Sequence, residues 1–259
     1  MGFTPTPTGL MPELSPRQEL ALLARVLWRE GYDDHLAGHI TINRGDGTLW
    51  CNPWLLHWEE LRPEHVIAID LDGTVVEGAL DGNDWPVPLG IPLHLALHRI
   101  RPDVQVAVHS HPLHATVWAD LGEVPPVLDQ SSALGGGELV LVDEYEGAAN
   151  DPDAAAAAVR LMGEADMALL AAHGVFVTAV SVRAAHQRCV ALEQRAQRAW
   201  YARAVAGGAL DSRLGEAAAT MFARSDGDRF IGYWEAAVRA ELRADPTLLA
   251  STLLDGPAS

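Results

Sequence analysis

His109 and His111 stand at i and i+2 at the end of an apolar run, Val104 to Val108, and His173 precedes Gly174 between two further apolar runs. Residues two apart on a strand leave the same face, so both rings of His109-Ser110-His111 can reach one point. A third imidazole from a separate strand completes a three-ligand metal site whose remaining place takes water or substrate, the arrangement of a catalytic metal. Gly174 is expected to let the backbone turn sharply after His173. An H-x-H pair among 11 histidines is weak by itself, and a histidine before glycine is more often a turn residue; the three must be taken together. Affinity order puts zinc above manganese at an all-imidazole site, with Mn²⁺, Fe²⁺ and Co²⁺ as alternatives for one divalent ion per subunit.

The basic residues narrow the chemistry further, because all 18 are arginine. A Schiff-base aldolase, a pyridoxal phosphate enzyme and a Walker P-loop each need a lysine amine, which a guanidinium does not replace. Activation of a carbonyl must therefore come from a metal, a hydrogen-bond donor or another cofactor. The formal charge of −17 argues against nucleic acid and against an anionic membrane as partners. Cys51 and Cys189 are too few for a disulfide framework or a cysteine zinc site, which suits a cytoplasmic setting. The proline-bearing start lacks the basic and apolar pattern of a signal peptide, so an unexported chain is expected.

The elements that must position these residues can be read in order. Ser15-Pro16 with Gln18, an apolar face at Leu20, Leu23, Ala24 and Leu27, and Gly31 behind it predict a helix over 16–30. Short β-like runs follow at His39–Asn43, Thr48–Asn52, Val66–Asp70 and Thr74–Val76, joined by Gly and Asp turns that favour antiparallel hairpins. A helix over Pro92–Ile100 precedes the His109 strand, and a helical turn over Pro112–Trp118 follows it. Val140-Leu141 marks a strand, Asp151-Pro152 starts an alanine-rich helix, two strands flank His173, and Ser181 caps a long helix to about Ala206. The expected fold is α/β, a three-layer α/β/α sandwich around a largely antiparallel central sheet. Residues 1–15 are expected to form a flexible leader, and 16–259 a single domain with a helical C-terminal extension.

The stretch Arg101-Pro102-Asp103, Val106 to Pro112 with His114 beyond, and Ala168 to Val175 resembles the class II aldolase/adducin family. Gly38-His39-Ile40-Thr41, Asn52-Pro53, Glu59, Leu61 and Val66 to Gly73 extend the resemblance over roughly 17–205 in consistent order. The resemblance implies zinc held by His109, His111 and His173, a small-molecule substrate and a homotetramer with sites between subunits. It also exposes departures. The glutamate that serves the family's aldolases as general acid/base falls at Gly90; hydroxyl residues of the phosphate pocket fall at Pro88 and Leu89; a Thr-Gly pair falls at Trp54-Leu55; and an Asn falls at His39.

Trp, Leu and Pro side chains cannot replace the water shell of a phosphate, so a non-phosphorylated substrate is expected. Trp54, Trp58 and Leu55 would offer an apolar wall to a planar ligand; filling of the core is the competing reading for the tryptophans. With Gly90 and His94 they complete the expected substrate pocket around His39. A bond to a carboxylate breaks without a base, needing an electron sink and a later proton donor, so decarboxylation is favoured slightly over retro-aldol cleavage. The dihydroxyphthalate decarboxylases of the same superfamily are similar in this respect. His39, His114 and Tyr145 are the expected catalytic proton carriers, with His94, His98 and Glu144 as further candidates. Gly135-Gly136-Gly137 reads as a loop near the pocket. A non-catalytic assembly module like the adducin head is the alternative, and retention of three histidines argues against it.

Overall fold

The computed structural model describes residues 11–32, 35–78, 86–143, 150–208, 210–212, 214–223 and 231–250. Its strands are β1 (His39–Asn43), β2 (Thr48–Cys51), β3 (Ile67–Asp70), β4 (Val75–Glu77), β5 (Val106–Ser110), β6 (Leu139–Val142), β7 (Met167–Leu170) and β8 (Gly174–Ala179). The helices are α1 (Pro16–Arg29), α2 (Ile91–Ile100), α3 (Leu113–Asp120), α4 (Gln130–Ala133), α5 (Pro152–Met162), α6 (Val182–Ala206), α7 (Glu216–Ala223) and α8 (Ile231–Ala244).

All eight strands form one sheet in the order β4-β3-β2-β1-β5-β8-β7-β6. Every pairing is antiparallel except β6 with β7, which α5 connects as a parallel crossover. Alternation along the strands divides the core. Ile40, Ile42, Val106, Val108, Val175 and Val177 pack on one face beneath α1, α3 and α6, while Ala107, Ala168, Leu170 and Phe176 pack on the other beneath α2 and α5. This is the expected three-layer sandwich around a largely antiparallel sheet.

The local signals act as their chemistry requires. Ser15 Oγ accepts from Gln18 N while Ser15 N donates to Gln18 Oε1, closing a capping box at α1. Asp151 caps α5, and Ser181 caps α6, which ends at left-handed Gly207. Residues 1–10 of the expected leader lie outside the described residues; of the remainder, Met11 and Leu14 are partly buried against the core. No described helix is long and apolar enough to cross a membrane.

The C-terminal α8 is fastened to α1 by charge. Glu241 is fully buried and accepts from Arg25 Nε at 2.5 Å and from Arg29. Burial pushes its carboxyl up, but the hydrogen bonds and charges of Arg29 and Arg25 outweigh burial and hold it below the ordinary value. A depressed pKa stabilises the fold above the unfolded-state value, and that contribution is lost as pH falls through the folded value. Glu241→Ala, which leaves buried Arg25 with the Glu59 carbonyl and the more distant Asp245 carboxylate at 3.7 Å, is expected to cost about 3 kcal/mol in urea unfolding at pH 7. The difference should shrink in acid; a variant as stable as the parent at pH 7 would show that the pair does not hold α8.

Candidate metal centre

β5 lies between β1 and β8, and its register decides what surrounds His109. His39 stands opposite it on β1 and Phe176 opposite it on β8. Their rings lie 5.3 and 6.5 Å from that of His109. Beyond the end of β5, His111 turns its ring to 4.9 Å from His109 and 4.8 Å from His173. The three side chains each offer a nitrogen, all within 4.8 Å of one another.

Donor chemistry fits a cation at this point. His109 is fully buried, and burial together with the neighbouring imidazoles pushes its pKa well down, so the ring is neutral. Its Nδ1–H donates to the Val175 carbonyl at 2.8 Å. That bond fixes the tautomer and leaves a lone pair on Nε2, as in histidine metal ligands oriented by an outer hydrogen bond. His173 Nε2 lies 3.2 Å from this atom. Two imidazole nitrogens bound to one zinc at its usual distances sit roughly 3.3 Å apart, so the pair is spaced to share a cation.

Two glycines work differently from what the sequence suggests. Gly174 was expected to supply the turn, but it is Ala172, within the tight β7–β8 connection, that carries the left-handed φ of 51°. Gly174 instead supplies room: a Cβ there would sit 2.2 Å from His111 Cδ2 and 2.7 Å from the Ser110 carbonyl. Gly90, the cap of α2, is likewise filled by a neighbour, since its Cβ would lie 2.3 Å from His39 Cε1. The His39 imidazole thus occupies the space that a side chain at position 90 would take.

Further residues fix His39. Asn52, buried, accepts from Ile40 N at 2.7 Å and donates to the Gly38 carbonyl at 3.2 Å, tying β1 to the end of β2. His94 lies 5.9 Å from His39 ring to ring, and Thr41 Oγ1 lies 2.8 Å from His94 Nδ1 and 2.9 Å from His98 Nε2. His94 and His98 therefore anchor α2 to the sheet through one hydroxyl. Burial drives both rings to the neutral form, His98 down to about 4 and His94 well down. His39 is pushed down to about 3 by burial, then by His111 and His173.

The other expected site residues are placed less centrally. His114 is turned to α6, with Nδ1 2.6 Å from Glu193 Oε1 and its ring against Trp200 and Tyr201, rather than joining the trio. Tyr145 and Glu144 lie outside the described residues. Trp54 is half-buried and Leu55 exposed beside it, but Trp58 is buried against Gly38, so it belongs to the core and not to the expected pocket wall. Gly135-Gly136-Gly137 packs against Ala191 and Asp166, at the end of β7 away from His173, and is not near the centre. Glu193 was not foreseen: its carboxylate accepts from the backbone N–H groups of His114 and Ala115 at 2.9 Å each. It caps α3, whose cap position is held by Pro112, and so fixes the chain directly after His111.

Gly174→Ala should displace the His111 ring while keeping the sheet. The expected result is metal affinity lowered at least about tenfold, with a stability loss of about 1–3 kcal/mol, read by metal titration and urea unfolding. Undiminished affinity would remove His111 from the ligand set.

Comparison with known proteins agrees with this geometry. The class II aldolase and adducin N-terminal domain matches residues 18–200. A 3,4-dihydroxyphthalate decarboxylase of Arthrobacter keyseri is 30% identical over 203 residues, covering 74% of this chain and 79% of its own. A 5-methylthioribulose-1-phosphate/5-deoxyribulose-1-phosphate aldolase of Rhodospirillum rubrum is 28% identical over 184 residues, 71% of this chain and 80% of its own. An adducin-related protein of Schizosaccharomyces pombe is 28% identical, and the match spans 67% of this chain and 55% of that protein. Among solved structures, L-fuculose 1-phosphate aldolase from Glaciozyma antarctica superposes with a TM-score of 0.75 at 22% identity, covering 92% of this chain and 96% of that one. The family match, the shared fold and the meeting of His109, His111 and His173 lead to one conclusion: the chain belongs to the class II aldolase and adducin N-terminal domain family.

Proposed function

We propose that this protein is a metal-dependent carbon–carbon lyase acting on a non-phosphorylated, hydroxylated aromatic carboxylate, with decarboxylation as its reaction. The observation that carries this reading is the exchange at Gly90, where the expected glutamate is missing and His39 fills its space. Loss of carbon dioxide needs no base to start it, so a site without that carboxylate retains the means to run the reaction. The resemblance to a relative named as a 3,4-dihydroxyphthalate decarboxylase supports the same choice. Relatives named as aldolases support retro-aldol cleavage of a hydroxy-carbonyl compound as the second reading.

His109, His111 and His173 would hold the ion, zinc by preference. When bound, it would stabilise negative charge on a substrate oxygen. His39 is neutral at pH 7 and so begins as an acceptor. It takes the proton of a ring hydroxyl, the bond to the carboxylate breaks with its electron pair left on the ring as carbon dioxide departs, the His39 proton passes to that carbon, and the product leaves as the phenolate. Trp54 and Leu55 supply an apolar surface. Leu55 holds a left-handed φ of 72°, a conformation suited to glycine, and is 56% exposed. A side chain kept there against strain of about 1–2 kcal/mol is explained by contact with substrate. The protein would act in the cytoplasm as a homotetramer.

Screening hydroxylated aromatic carboxylates for metal-dependent release of carbon dioxide tests the reading; release of an aldehyde or pyruvate from a hydroxyacid panel would favour the aldol form. His109→Ala should lose both metal and turnover, and a variant with unchanged metal content would count against the site. His39→Ala should keep its metal and lose about 10²–10⁴-fold in kcat; full activity would dismiss His39 as the proton carrier. Leu55→Gly should leave stability equal or higher by up to about 1 kcal/mol and weaken the preference for aromatic over aliphatic carboxylates. An unaltered preference would take Leu55 out of the pocket.

A further inference from the structure

At the end of β7 away from His173, α4, the triple-glycine turn and α6 enclose a cavity of about 230 Å³. Its walls are partly apolar, with Met167 and Leu192, but three polar side chains, Ser132, Arg195 and Thr220, line it. Arg195 donates from Nε to the Pro125 carbonyl at 2.8 Å, and no carboxylate among the described residues pairs with its guanidinium. Two carboxylates that touch residues of its lining are engaged elsewhere: Asp129 with Arg198 and the cap of α4, and Asp166 with Arg188. Burial alone pushes Arg195 down to about 10. A guanidinium partly withdrawn from water without a counter-charge is costly, and its planar fork is shaped for an oxyanion. Ser132, only 5% exposed, lines the same cavity, and its hydroxyl has no hydrogen-bond partner among the described residues.

We propose that this cavity binds a small oxyanion, a short carboxylate or inorganic phosphate, with Arg195 as counter-charge and Ser132 as second donor. The cavity is below the usual size for drug-sized ligands, roughly 300–1,000 Å³, and suits an ion with a short substituent. It is a separate site, because β7 stands between it and His173, about 13 Å of strand. The chain carries a net charge of −17, so affinity must come from the local donors and not from the overall field. Gly136 and Gly137 turn with φ of 61° and 82°, bending the backbone around the cavity mouth.

The test uses the full-length, metal-loaded protein, titrated calorimetrically with phosphate, sulfate and malonate against chloride at constant ionic strength. Saturable binding is expected, with affinity about tenfold lower or worse in Arg195→Met and about threefold lower in Ser132→Ala, and with metal content unchanged in both. Preference for malonate identifies a carboxylate site, and preference for phosphate or sulfate a site for inorganic oxyanions; either supports the proposal. Absence of saturable binding in the parent, or equal binding in parent and variants, overturns it. A high-resolution structure with a carboxylate of this chain paired to Arg195 would also overturn it, since the charge would then be satisfied within the chain. Should Arg195→Met not fold, Arg195→Lys, which keeps the charge but loses the fork, is expected to fall between parent and Ser132→Ala or below, and parent-like affinity there, together with parent-like affinity in Ser132→Ala, counts against the site.

Discussion

The register between β1, β5 and β8 is the constraint from which the centre follows. One-residue slippage of β5 would send His109 to the α1 and α6 face and bring Val108 or Ser110 into its place. Two antiparallel pairings therefore choose the neighbours of His109, His39 on one side and Phe176 on the other, before any cation is considered. The carbonyl of Val175 then orients the ring. His111 and His173 are less rigidly given, since both lie beyond strand ends, and close packing at Gly174 brings them together.

Much of this was legible in the sequence where it depends on local spacing. The capping box at Ser15 and Gln18, the glycine hairpins, the Asp151 and Ser181 caps and the i, i+2 histidines each specify their own geometry over a few residues. What depends on distances between elements was not legible. Gly174 looks like a turn residue in one dimension and proves to be a space-maker in three. Trp58 could have faced either ligand or core, and only its contact with Gly38 decides. The triple glycine was misplaced because proximity to the centre is set by which end of β7 it packs on. Glu193 lies 79 positions from the amide of His114 that it caps, and no pattern of residue types links the two.

The exchange of side-chain volume at Gly90 bears on how such a pocket changes chemistry. An imidazole reaching from β1 fills space beside the cap of α2, with α2 held at its distance by Thr41, His94 and His98. Under the proposed function, the acid/base group has moved from one structural layer to another while the three histidines stay. A neutral ring in place of a carboxylate also lowers the negative charge near substrate, which suits a substrate that brings its own carboxylate.

The Glu193 cap carries a consequence for how the protein is born. The segment that follows His111 acquires its hydrogen-bonded start only from α6, more than 70 residues later in synthesis. A nascent chain on the ribosome thus displays the paired histidines of β5 long before it can seat them. The seating of that pair is completed only when α6 has emerged and docked, so the last part of the centre to be fixed is set by a helix that contributes no imidazole to it.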